Sequence, residues 1–193
     1  IEDEINCLID SSPPDEEMIH LENRPIDMII NSHAHTDHCS RNYCFPTAKV
    51  LLHPFEHQRV VSGETYLHDY GFNHFPDNPL KDIYLDAVKF HSRAADGELT
   101  DGQVISTGNV EIQVMHLPGH TSGHCGFIFP REGFIFTADI HPDLKPFYAM
   151  IDSDIDEFII SIEKIRQLNP DILVAGHGSI VIKDKISQRL AAY

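Results

Sequence analysis

Three imidazoles and one carboxylate fall within six consecutive residues, His33-Ala34-His35-Thr36-Asp37-His38. This hard-to-borderline donor set suits Zn²⁺, Fe or Mn²⁺. In extended backbone alternate side chains point the same way, so His33 and His35 can grip one ion. Asp37 and His38 then face a neighbouring position. From the His and Asp frequencies of the chain, H-x-H-x-D-H is expected by chance in under about one chain in a hundred. The bland alternative is a polar, histidine-rich loop, which would crowd several imidazoles together with nothing to hold them.

Six residues cannot complete two metal shells, so further ligands are expected, each at the end of a strand. Three segments meet that requirement. Leu117-Pro118-Gly119-His120-Thr121-Ser122-Gly123-His124 follows an apolar run ending at His116. Thr137-Ala138-Asp139-Ile140 follows Phe134–Phe136, and Ala175-Gly176-His177-Gly178 follows Ile172–Val174. Glycines beside His120 and His177 allow tight turns and leave room for a metal and its substrate.

Apolar, β-branched runs bounded by turn residues predict strands at Ile5–Ile9, Ile26–Ile30, Lys49–Leu52, Val104–Ser106, Val110–His116, Gly126–Phe129, Phe134–Thr137 and Ile172–Ala175. Asp101-Gly102, Thr107–Asn109 and Pro130–Gly133 supply the turns. The clearest helix runs from Asp154 to Leu168, with Ile155, Phe158, Ile159, Ile162, Ile165 and Leu168 on one face. Ser153 is its expected cap and Asn169-Pro170 its stop. Shorter helices are expected near Asp15–Glu22, Pro54–Val61 and Lys183–Ala191. Residues 62–100, polar and aromatic, predict an irregular insert of the kind that serves as a lid or substrate loop. Strands interleaved with helices, several of them in hairpins, predict an α/β or α+β fold without a single all-parallel sheet.

Length and charge narrow the function. At 193 residues the chain fits one domain, 1–193, with a core that needs no disulfides. A formal charge of −16 argues against nucleic acid and against acidic membrane surfaces, both of which require a basic face. No apolar run approaches the roughly 20 residues that span a bilayer. Cys7, Cys39, Cys44 and Cys125 lack paired spacing, which predicts reduced thiols and a cytoplasmic location. Cys39, beside His38, is expected to be a packing residue rather than a ligand or nucleophile. A strand is reached almost at once after Ile1, so a leader or further N-terminal strands are expected ahead of it.

The four motifs, in this order, resemble the metal-binding motifs of the metallo-β-lactamase superfamily. Pro118-Gly119-His120-Thr121-Ser122-Gly123-His124 is especially similar to glyoxalase II and related hydrolases. The resemblance implies an α+β, four-layered αββα sandwich. It also implies two divalent ions, zinc foremost with iron or manganese as alternatives. His33, His35 and His120 would bind the first ion, Asp37, His38 and His177 the second, and Asp139 would bridge them. His116 and His124 would be structural. His53, His57, His74 and His141 are expected at the surface or in the core. The implied reaction is attack of a metal-bridging hydroxide on a small ester, thioester or lactone, with Asp37 orienting the nucleophile or handling a proton.

Many relatives carry a glycine shortly after the first motif. Here Cys39-Ser40-Arg41-Asn42 stands instead, so the turn must differ. Among Lys145-Pro146-Phe147-Tyr148, Lys145 is nominated as an anion contact and Tyr148 as a hydrogen-bond donor to substrate. Two rival readings stand beside hydrolysis. One is a mononuclear iron persulfide dioxygenase, which keeps the same first motif, and the other is a metal-binding sensor without turnover.

Overall fold

The computed structural model describes every residue except 22, 76, 142–149 and 192–193. Its contacts divide the chain into two compact units, Ile1–Leu99 and Thr100–Tyr193.

The first unit is built on β1 (Cys7–Ile9), α1 (Asp15–Leu21), β2 (Met28–Ile30), α2 (Thr36–Cys39), β3 (Lys49–Leu52), α3 (Gly63–Asp69), α4 (Leu80–Ala87) and β4 (Gly97–Glu98). The strands lie in the order β1-β2-β3-β4 and every neighbouring pair is parallel, with Ile9 opposite Ile30 and Ile30 opposite Leu51. Ile29, Ile30, Val50 and Leu52 are fully buried, as expected of strands covered on both faces. Cys39 packs with Ala34, Leu52 and Val60. Burial, reinforced by the carboxylates of Asp10, Glu56 and Asp37, pushes its thiol far above the usual range. Buried among these apolar side chains, Cys39 is a packing group.

One expectation is met in this unit and one needs correction. The short helix expected near Pro54–Val61 is present as a 3₁₀ helix, Pro54–Val60. Its start is capped by His53, whose Nδ1 accepts from the Phe55 N–H at 3.4 Å. Residues 62–100 are not irregular but carry α3, a 3₁₀ turn at Phe72–His74, α4 and β4. Ser62 caps α3 by accepting from the Thr65 N–H at 3.1 Å. These helices are too short to show a clear period in sequence and are marginal alone. Their order comes from aromatic packing: Tyr66 lies 5.0 Å from Tyr70 and 5.1 Å from Phe90, ring centre to ring centre, and Tyr70 lies 5.4 Å from Tyr84.

The second unit contains β5 (Val104–Ser106), β6 (Glu111–His116), β7 (Cys125–Phe129), β8 (Phe134–Phe136), α5 (Ile155–Leu168), β9 (Ile172–Val174), β10 (Val181–Ile182) and α6 (Lys183–Leu190). The sheet order is β10-β9-β8-β7-β6-β5, and all pairs are antiparallel except β8 with β9, which α5 connects. Gly108 (φ +124°) and Gly133 (φ +75°) take the left-handed turns that close the β5–β6 and β7–β8 hairpins, and Gly102 (φ +75°) takes the turn that leads into β5. β10 was not legible in the sequence because only two residues pair, Val181 with Leu173 and Ile182 with Ile172.

On α5 the buried stripe is narrower than the apolar pattern suggested. Phe158, Ile162 and Ile165 are buried with Leu117, Ile135, Leu173 and Ile186, each worth about 1.5–3 kcal/mol of burial. Ile155, Ile159 and Leu168, at the flanks of the stripe, are exposed. The cap is Asp154, whose Oδ1 accepts from the N–H groups of Asp156 and Glu157 at 2.8 and 3.0 Å. The Ser153 hydroxyl turns instead to the carbonyl of His120.

Candidate metal centre

In the first unit the parallel register carries three strand ends to one level. Asp10 follows β1 in a left-handed conformation (φ +53°) that Asp tolerates, and its N–H donates to Ile30 O at 3.1 Å. The peptide N–H of Asn31 donates to Leu51 O at 3.0 Å, which extends β2 to the edge of the motif. His33, His35 and His38 are buried, whereas the Asp37 side chain is 56% exposed. The His33 ring lies 4.5 Å from His35 and 4.2 Å from His38, centre to centre. One donor atom each of His33 and His35 lie within 4.8 Å of one another, and the same holds for Asp37 and His38. Beyond α2 the chain needs no glycine, because Ser40 continues in right-handed backbone (φ −60°, ψ −21°) and leads into a 3₁₀ turn at Asn42–Cys44.

One carboxylate fixes two of these rings. Asp10 Oδ2 accepts from His38 Nδ1 at 2.7 Å and from Ser32 Oγ at 2.8 Å, while Oδ1 accepts from the Ser32 N–H at 2.8 Å. Because the Ser32 hydroxyl proton goes to Asp10, His33 Nδ1, 2.9 Å from that Oγ, must be the donor. Both rings are thereby set with the proton on Nδ1 and the lone pair on Nε2. That is the arrangement of a ligating histidine, with one nitrogen for the ion and the other held by a carboxylate or hydroxyl. Sequence reasoning missed Asp10 as a functional residue. Its only signal was its place directly after an apolar strand, the position shared by all four motifs.

In the second unit the loop bearing His120 is clamped by the start of α5. Ser153 Oγ donates to His120 O at 2.9 Å, Ser161 Oγ to Pro118 O at 2.6 Å, and the Asp154 N–H to Gly119 O at 2.9 Å. The Ser122 N–H donates to Asp152 Oδ2 at 2.6 Å. Asp139 sits in a tight turn after β8. Thr137 Oγ1 donates to Ile140 O at 2.6 Å, and Ala138 takes the left-handed conformation at φ +46°. Ala138 O accepts from the Gly176 N–H at 2.8 Å, which ties this turn to the loop bearing His177. The consequence is specific. Asp139 Oδ2 lies 3.3 Å from His120 Nε2, and Oδ1 lies 3.9 Å from His177 Nε2. His116 Nε2 donates to Ser122 O at 2.9 Å, His124 Nε2 accepts from the Asp139 N–H at 3.4 Å, and His141 Nε2 donates to Ser179 O at 2.7 Å. Lys145 and Tyr148 lie outside the described residues.

The family model of the metallo-β-lactamase superfamily matches residues 2–177. The chain belongs to that superfamily. It is 27% identical over 191 residues to a probable metallo-hydrolase of Methanocaldococcus jannaschii, a match that covers 93% of this chain and 74% of that protein. A hydroxyacylglutathione hydrolase of Haemophilus influenzae is 36% identical over 84 residues, 41% of this chain and 39% of that enzyme. Among solved structures, a metallo-β-lactamase family protein of Thermus thermophilus aligns with a TM-score of 0.74 at 19% identity, covering 95% of this chain and 68% of that one. The fold is therefore the α+β fold of the superfamily, as its motifs implied. Members of the superfamily bind metal ions, and the donor set here fits that role: imidazoles with a fixed tautomer beside carboxylates, with no thiol among the clustered donors. Among the described residues, no helix is long and apolar enough to cross a membrane.

A first expected outcome concerns Asp10. Asp10→Asn keeps the shape but removes the charge that orients His38 and, through Ser32, His33. Metal affinity is expected to fall about ten- to a hundred-fold, measured by competition against a chromogenic chelator. Unchanged affinity would show that these rings are oriented by something other than this carboxylate.

Proposed function

We propose that this protein is a metal-dependent hydrolase of small esters, thioesters or lactones. The observation that carries the reading is the placement of Asp139, which offers one carboxylate oxygen to His120 and the other to His177. A carboxylate so divided suits a bridge between two ions. By the motif order of the superfamily, His33, His35 and His120 would hold one ion, Asp37, His38 and His177 a second, and Asp139 both. Zinc is the first expectation, with iron or manganese as alternatives.

When bound, two such ions supply a water acidified toward neutral pH and a Lewis acid for a carbonyl oxygen. The remaining work falls to the chain. Asp10 and Ser32 hold Nε2 of His33 and His38 in ligating orientation. The exposed carboxylate of Asp37, with Oδ2 3.8 Å from His38 Nε2, would orient the nucleophile or take its proton. The expected substrate is a small neutral or anionic molecule, because the overall charge of −16 repels polyanions. Lys145 and Tyr148 remain the nominated substrate contacts, and residues 62–100 the nominated substrate loop.

The test is metal quantification on protein purified without added metal, followed by assay on a panel of esters, thioesters including acylglutathione, lactones and phosphodiesters. Two equivalents of metal with turnover of one carbonyl class is the expected result. One iron per chain with sulfur-dependent oxygen uptake would replace hydrolysis by dioxygenation. Tight metal binding with no turnover on any member of the panel would point to a sensor.

A further inference from the structure

The His33–His35 pair is braced by a charged group that the hydrolytic chemistry does not use. Glu56, in the 3₁₀ helix Pro54–Val60, is fully buried. Its Oε2 accepts from the peptide N–H of Ala34 at 3.1 Å and from Arg59 Nη1 at 2.7 Å. Arg59, itself buried, donates in turn through Nε to Asp69 Oδ2, at the end of α3. Ala34 is the residue between the two histidines. Fixing its peptide fixes the backbone plane from which both imidazoles project, and with it the angle between their rings. A second link runs alongside, because Tyr66 OH on α3 donates to Thr36 Oγ1 at 3.3 Å, one residue past His35.

Stability alone gives little reason for this pair. Burying a carboxylate and a guanidinium costs desolvation that their attraction offsets at best, and well-packed apolar residues of similar volume usually serve the fold as well or better. An apolar side chain, however, cannot hold a peptide N–H. We propose that Glu56 is a positioning residue for the metal centre: through Ala34 it sets the grip of His33 and His35, and through Arg59 and Asp69 it ties that grip to α3. The inference rests on the metal-binding reading above, so its test reads metal binding and not turnover.

Glu56→Leu combined with Arg59→Met removes the buried ion pair as a unit, leaving the Ala34 N–H without its acceptor and Asp69 with His68 Nδ1 at 3.2 Å. This double variant is expected to unfold within a few degrees of the wild-type apoprotein, yet to bind Zn²⁺ about ten- to a hundred-fold more weakly by chelator competition. The visible spectrum of its Co²⁺ form is also expected to shift, since the ligand angle is relaxed. Zn²⁺ affinity within two-fold of wild type, with an unchanged Co²⁺ spectrum, would overturn the proposal. Should the double variant not fold, Glu56→Gln decides. Its amide retains an acceptor for Ala34 without the charge, and a Zn²⁺ affinity lowered at least about three-fold is expected. An affinity equal to wild type there overturns the proposal equally. Failure of the wild-type protein itself to bind Zn²⁺ or Co²⁺ would instead refute the metal-binding reading on which the proposal stands.

Discussion

Asp139→Ala is expected to lose bound metal and to lower turnover of whichever substrate class the panel identifies by at least about a hundred-fold. The bound follows from comparison. Loss of a group that merely orients a ligand costs about ten- to a hundred-fold, and Asp139 is proposed to hold ions directly. Its two oxygens are divided between His120 at 3.3 Å and His177 at 3.9 Å. Asp139→Asn separates charge from shape, because an amide keeps one acceptor oxygen but cannot serve two cations equally. It is expected to retain part of the metal and little of the turnover. Metal content by elemental analysis and initial rates measure both effects. An alanine variant with full turnover and full metal would refute the bridging role.

The largest effect on stability is expected from Gly119→Ala, a change of one methyl group. Gly119 has φ +123°, a region that side chains rarely enter, and a β-carbon there would lie 2.2 Å from Phe158 N and 2.4 Å from Phe158 Cα. The obstruction is helical backbone, so no rotamer change relieves it, and either the His120 loop or the start of α5 must move. Strained backbone and overpacking each cost about 1–3 kcal/mol. A combined loss of about 2–6 kcal/mol is then expected, a large share of the roughly 5–15 kcal/mol that typically holds a domain folded. Urea unfolding of the metal-free protein gives the number. A change below about 0.5 kcal/mol, the range of an ordinary surface substitution, would show that the loop is not packed as described. The same variant links stability to function, since moving Gly119 displaces His120, whose carbonyl and neighbouring peptides are held from the same turn of α5.

The sequence by itself determined the donor chemistry and where along the chain it lies. Residue identity and spacing carry that information, because imidazoles and carboxylates after strand ends can be read without coordinates. Strands of three or more paired residues were legible for the same reason, since alternation and turn residues are local signals. Only the tertiary structure decided how each donor is held. Asp10 is a lone acid in sequence, and the parallel register of β1 with β2 makes it the partner of His38 and Ser32. Ser153 reads as a helix cap, but the nearby carbonyl of His120 takes its hydroxyl and Asp154 caps instead. Glu56 and Arg59 carry no signal of a role in sequence, and only packing buries them and sets Glu56 against the Ala34 peptide. The aromatic residues of 62–100 hide two short helices that their mutual contacts stabilise. In each case a polar or aromatic side chain had several partners within its reach. The choice among them is a matter of distance in three dimensions, which spacing along the chain does not encode.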